Sequence, residues 1–117
     1  MGDLPQIGGE SAVDFFGKTG MLPVIANDSR RFPRFYFRTC AEATIYPVGN
    51  VGEPEHCFVL TRDISRNGVG LLHAQQLFPG QRLDLILNGE PPRATEVVRC
   101  RRLEDGCYEV GCRFAKA

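Results

Sequence analysis

Nine residues, Arg30-Arg31-Phe32-Pro33-Arg34-Phe35-Tyr36-Phe37-Arg38, hold four arginines and four aromatics. Arginine offers a rigid planar fork that bonds an anion at two points and stacks on flat rings. The stretch therefore suits a partner that is anionic, flat or both. About thirty residues later comes Asp63-Ile64-Ser65-Arg66-Asn67-Gly68. Asp63 and Ser65 are two apart and share one face of a strand. Gly68 lets the chain turn sharply and leaves the surface beside them uncovered. Taken alone, this second stretch is a plain hairpin in which Asn67-Gly68 turns by positive φ, and Asp63 and Ser65 bond nearby backbone N–H groups.

Composition limits what these residues can serve. A chain of 117 residues fits one domain with a core of its own. Its 14 basic and 14 acidic residues leave no net charge, which disfavours a general nucleic-acid binder. The average hides an asymmetry: residues 1–29 hold Asp3, Glu10, Asp14 and Asp28 against Lys18 alone, and the arginine-rich stretch follows. Five cysteines, an odd count without C-x-x-C spacing, indicate reduced thiols and a cytoplasmic protein. His56, Cys57 and His73 do not complete a metal-ligand set, so no metal and no cofactor are expected. No apolar run has the length of a membrane span, and no signal peptide is evident.

The elements that must position the two stretches are strands. Residues 1–28 read as an N-terminal arm, flexible or loosely packed, with Ser11 capping a short helical turn through Phe16. Residues 29–117 read as the folded domain. From Phe35 to Tyr46 the pattern alternates, placing Phe35, Phe37, Ala41, Ala43 and Ile45 on the core face. Further strands are expected at Cys57–Ile64, at Val69–His73, and around Leu83, Leu85 and Leu87. A closing hairpin of Thr95–Leu103 and Cys107–Phe114 would set Leu103 against Cys107, Arg101 against Glu109 and Val98 against Cys112. Val98, Cys100, Tyr108, Val110, Cys112 and Phe114 would then point inward. Turn signals separate the strands at Pro47–Pro54, Asn67-Gly68, Pro79-Gly80, Gly89–Pro92 and Glu104–Gly106. Six short strands and no long helix make an all-β fold, a six-stranded antiparallel β-barrel.

In that context the two stretches take the forms R-x-x-x-R (Arg30 to Arg34) and D-x-S-x-x-G (Asp63 to Gly68), in that order. Residues 29 to 115 thereby resemble the PilZ domain family of bacterial cyclic di-GMP receptors. Arg-Arg opening the first motif, the Pro-Gly turn and the ending Val110-Gly111-Cys112-Arg113-Phe114 also look like that family. The resemblance implies cyclic di-GMP as ligand and Arg30, Arg31, Arg34, Asp63, Ser65, Asn67 and Gly68 as the residues around it. It also implies a loop that closes on the ligand.

The chemistry is consistent with that assignment. Guanine O6 and N7 accept two parallel bonds from an arginine, its N1–H and N2–H suit a carboxylate, and phosphates suit arginine. In extended chain Arg30 and Arg34 stand roughly 13 Å apart, enough to embrace a ligand of that size. Mutual repulsion among the arginines predicts an arm that an anion orders. Phe32 and Tyr36 are freer than Phe35 and Phe37 to touch a base. The expected function is a receptor or adaptor, not an enzyme, that changes arm conformation on binding and signals to an unidentified effector protein. Two alternatives stand beside it: a PilZ-like interaction module that binds no nucleotide, and a small barrel for single-stranded nucleic acid, which zero net charge disfavours.

Overall fold

The computed structural model describes residues 11–22, 32–104 and 106–115. A short helix, α1 (Ala12–Gly17), precedes seven strands: β1 (Phe35–Tyr36), β2 (Cys40–Ile45), β3 (Glu55–Ile64), β4 (Gly68–His73), β5 (Arg82–Ile86), β6 (Arg93–Glu104) and β7 (Cys107–Phe114). The strands run β3-β2-β5-β6-β7-β4, and β4 pairs back onto β3. All pairings are antiparallel. The result is a closed six-stranded antiparallel barrel, with β1 as a short extension that pairs with the end of β3.

Alternation fills the interior. Ala41, Ala43 and Ile45 from β2, Leu83 and Leu85 from β5, and Val69 and Leu71 from β4 are all buried. Val59, Leu77, Leu87, Val97, Val110 and Cys112 belong to the same cluster. Burial pushes the Cys112 thiol up to about 12, so it packs as a small apolar group rather than a nucleophile. Two buried threonines satisfy backbone groups: Thr95 Oγ1 donates to Leu83 O at 2.9 Å, and Thr61 Oγ1 donates to Phe37 O at 2.5 Å. Thr61 Oγ1 also accepts from Thr39 N–H at 2.9 Å. Its hydroxyl thus bridges the gap between β1 and β2.

Three details differ from the sequence-based expectation. Phe35 is not core: it lies across from Ile64 and Met21, and is 46% exposed. In the closing hairpin Arg101 does face Glu109, but Val97, not Val98, faces Cys112, and Glu104 faces Cys107. The register shifts between Val97 and Arg99, so Val98 is the extra residue and stands 54% exposed; a bulge changes which side chains reach the core. The turn after β3 also works differently. Neither Asn67 nor Gly68 has positive φ. Ser65 N–H donates to Gly68 O at 2.9 Å, so Arg66 and Asn67 form the tip.

Of the segment 1–28, residues 11–22 lie against the barrel. Ser11 caps α1 by accepting from Asp14 N–H at 3.2 Å. Phe15 is buried beneath α1, and the Arg38 guanidinium lies 4.3 Å from its ring centroid. Leu22 N–H donates to Arg34 O and Tyr36 N–H to Gly20 O, each at 2.8 Å. Residues 20–22 thus add a short ribbon alongside β1.

Candidate functional site

The site begins with an irregularity in β3. Thr61 pairs with Leu71 and Asp63 with Gly70, so Arg62 is an extra residue relative to β4. Cross-strand partners share a face. Thr61 faces inward with Leu71, and the bulge at Arg62 turns Asp63 to the outer face with Gly70. The reason for glycine at 70 is direct: a Cβ there would stand 2.7 Å from Asp63 Oδ1. The carboxylate is folded down over a residue that has no side chain.

Arg34 meets it there. Arg34 Nη1 donates to Asp63 Oδ1 at 2.5 Å, and the two side chains are only 17% and 12% exposed. This joins the two sequence motifs, 29 residues apart, on one patch of the barrel's outer wall. The pairing is incomplete, since Arg34 Nε is buried with no hydrogen-bond partner among the described residues. A buried donor in that condition is costly. Among the described residues Arg34 therefore has a donor left over beside its contact with Asp63.

Ser65 and Asn67 shape the adjoining turn. Ser65 Oγ donates to Asn67 Oδ1 at 2.8 Å, and Asn67 O accepts from Phe114 N–H at 2.8 Å. A Cβ on Gly68 would fall 2.5 Å from Cys112 O, so glycine is required by close approach of β7. Arg66 lies over the Phe32 ring, 5.4 Å from its centroid. Arg38 Nε donates to Arg62 O at 2.8 Å, which holds the bulge from the α1 side. Arg30 and Arg31 lie outside the described residues. Of the expected residues the structure thus brings together Arg34 and Asp63, and sets Ser65, Asn67 and Gly68 in the turn that follows.

Sequence reasoning missed Gly70. Its signal was present as Gly68-Val69-Gly70, two glycines one residue apart on one face of a strand. It also missed that Arg62 is committed elsewhere: Arg62 pairs with Glu109, which Arg101 Nη2 also reaches at 3.3 Å. A concavity lies elsewhere on the wall, lined by residues that include Glu42, His56, Phe58, Asp84 and Ile86, and none of the motif residues borders it. Among the described residues no group of three or more His, Cys, Asp or Glu side chains is placed to hold a metal. No described helix is long and apolar enough to cross a membrane.

A closed antiparallel barrel with a charged, glycine-floored patch on its outer wall defines a small all-β domain with a candidate site on its surface. The model of the PilZ domain matches residues 28–117, and the chain belongs to that family. A search of curated proteins gives no match. Among solved structures the chain is similar to a K. pneumonia MrkH protein in complex with c-di-GMP, with a TM-score of 0.56 and 21% identity. The likeness is one of fold and covers 76% of this chain and 45% of that one. This chain thus spans less than half the length of that relative.

Proposed function

We propose that this PilZ domain is a cyclic di-GMP receptor rather than an enzyme. The observation that carries the reading is the Arg34–Asp63 pair at 2.5 Å on the barrel's outer wall, beside an Arg34 Nε that has no partner among the described residues. A guanine offers Asp63 two donors, and its opposite edge or a phosphate offers Arg34 acceptors. The ligand would replace part of the Arg34–Asp63 contact with bonds of its own. Arg30 and Arg31 would join from the preceding arm, and Ser65, Asn67 and Gly68 would form the adjoining wall. Membership of the PilZ family supports the reading, as does the MrkH structure, whose protein is bound to c-di-GMP.

A signal follows from connectivity. Arg34 carries both the Asp63 contact and, through its carbonyl, the bond to Leu22. Moving Arg34 toward a ligand would pull on the ribbon at residues 20–22 and on α1. The changed surface is what an effector protein would read. Free thiols at all five cysteines suit a reducing cytoplasm.

Titration calorimetry of cyclic di-GMP into wild type, Arg34→Ala and Asp63→Ala tests the proposal. Micromolar or tighter binding that both substitutions abolish, in proteins that remain folded, is the expected result. No heat from folded wild type would leave the Arg34–Asp63 pair as a structural contact and the domain as an interaction module.

A further inference from the structure

Asp63 is the first member of a straight row across four strands. Asp63 pairs with Gly70, Gly70 with Gly111, and Gly111 with Arg99. All four share the outer face. The two central members have no side chains, and neither has positive φ, so backbone conformation is not what demands glycine there. What lies above them does. At Gly70 it is the Asp63 carboxylate. At Gly111 it is Arg99, whose Cγ and Nε lie 3.0 and 3.1 Å from the place a Cβ would take.

The row is a shallow shelf, two glycines wide, with a carboxylate reaching in from one end and a guanidinium from the other. Three strand spacings put the backbones of Asp63 and Arg99 roughly 14 Å apart. That is comparable to the span of a dinucleotide. The flanking rows are different. On one side, Arg101 is tied to Glu109 together with Arg62. On the other, Arg113 Nη2 reaches Glu96 at 2.9 Å. Arg99 has no hydrogen-bond or ion-pair partner among the described residues. Among the described residues, a guanidinium without a polar partner thus stands in register with Asp63, and the floor between them carries no side chain.

We infer that Arg99 is a ligand-binding residue, the far anchor of the site, which bonds the acceptor groups of cyclic di-GMP lying across Gly70 and Gly111. The inference rests on the receptor reading above and extends the site from β3 to β6. The shared chemistry is a planar donor fork meeting oxygen or nitrogen acceptors, supplied by a phosphate or by the O6/N7 edge of guanine.

The test is calorimetric titration of cyclic di-GMP into wild type, Arg99→Gln, Arg99→Lys and Gly111→Ala, with Asp63→Ala as the reference for a lost site. Arg99→Gln should weaken binding on the order of tenfold, the scale of one charged hydrogen bond. Its Tm should match wild type, because among the described residues the Arg99 side chain makes no hydrogen bond or ion pair that the fold would lose. Gly111→Ala should weaken binding too, by lifting Arg99 off the floor. Arg99→Lys separates the two modes of contact: near-wild-type affinity marks an acceptor that needs only a positive donor, as a phosphate does, and a loss equal to that of Gln marks one that needs the planar two-donor fork. If wild type binds and Asp63→Ala does not, while Arg99→Gln and Gly111→Ala bind as wild type, the assignment of Arg99 is wrong and the receptor reading stands. If wild type itself does not bind, both fall.

Discussion

Replacing Gly70 by alanine tests the reason for the glycine and the geometry of the site together. Alanine in a strand is ordinarily better than glycine by roughly 0.5–1 kcal/mol, because it loses less backbone entropy. Here the new methyl would stand 2.7 Å from Asp63 Oδ1, about 0.7 Å inside ordinary contact. The carboxylate has little room to yield, being 12% exposed and held by Arg34 at 2.5 Å. Displacing it loosens a charged hydrogen bond worth about 1.5–3 kcal/mol and leaves two mostly buried charged groups poorly matched. The loss exceeds the backbone gain, for a net destabilisation of about 1 kcal/mol, or roughly 4–8 °C in Tm. The same displacement lifts Asp63 out of line with the shelf, so cyclic di-GMP affinity should fall on the order of tenfold or more, the scale of a bond to a charged group. Thermal unfolding and calorimetric titration read the two effects. A Gly70→Ala protein with raised Tm and unchanged affinity would refute the reasoning, since it would mean that Asp63 moves aside freely and does not hold the ligand.

Two further outcomes follow from the packing. Phe15→Ala removes the buried side chain that seats α1 under Arg38. It should free residues 11–22, seen as faster tryptic cleavage at Lys18, while the barrel's Tm changes little. An unchanged cleavage rate would show that the ribbon alone holds the segment. His73 gives a pH dependence: burial pushes its pKa below the ordinary 6.5, against a smaller opposing pull from Glu55. Below about pH 6.5 the unfolded chain takes up the proton more readily than the folded one, so stability falls as pH drops toward the folded value. His73→Gln should flatten that part of the Tm–pH curve, and an unchanged slope would place its origin elsewhere.

Much of the barrel was legible because strands such as β2 and β5 alternate buried and more exposed residues. Leu83, Leu85 and Leu87 are unambiguous in sequence, and all three are buried. What pattern reading missed are places where one residue is added. Val98 was expected inside and Val97 took its place, since nothing in Val97-Val98 marks which of two identical side chains is bulged out. Arg62 is the other case. Its bulge sends Asp63 to the outer wall, yet the spacing of Asp63 and Ser65 reads alike with or without it. The two Asn-Gly pairs teach the same lesson. Asn88-Gly89 uses positive φ, at 50° and 73°. Asn67-Gly68 does not, and there the glycine answers to the Cys112 carbonyl. A dipeptide reports what the backbone can do, and tertiary contacts decide which property is used. The motif residues were nameable from sequence, but their meeting was not: that Arg34 touches Asp63, and that Gly70 and Gly111 clear a path to Arg99, are facts of register.

The most direct measurement is a crystal structure of the domain with cyclic di-GMP. The account predicts the nucleotide on the outer wall over Gly70 and Gly111, one guanine edge on Asp63, Arg34 turned from Asp63 toward the ligand, and Arg99 in contact at the far end. A nucleotide bound in the groove beside His56 and Phe58, with the Arg34–Asp63 pair intact, would contradict it.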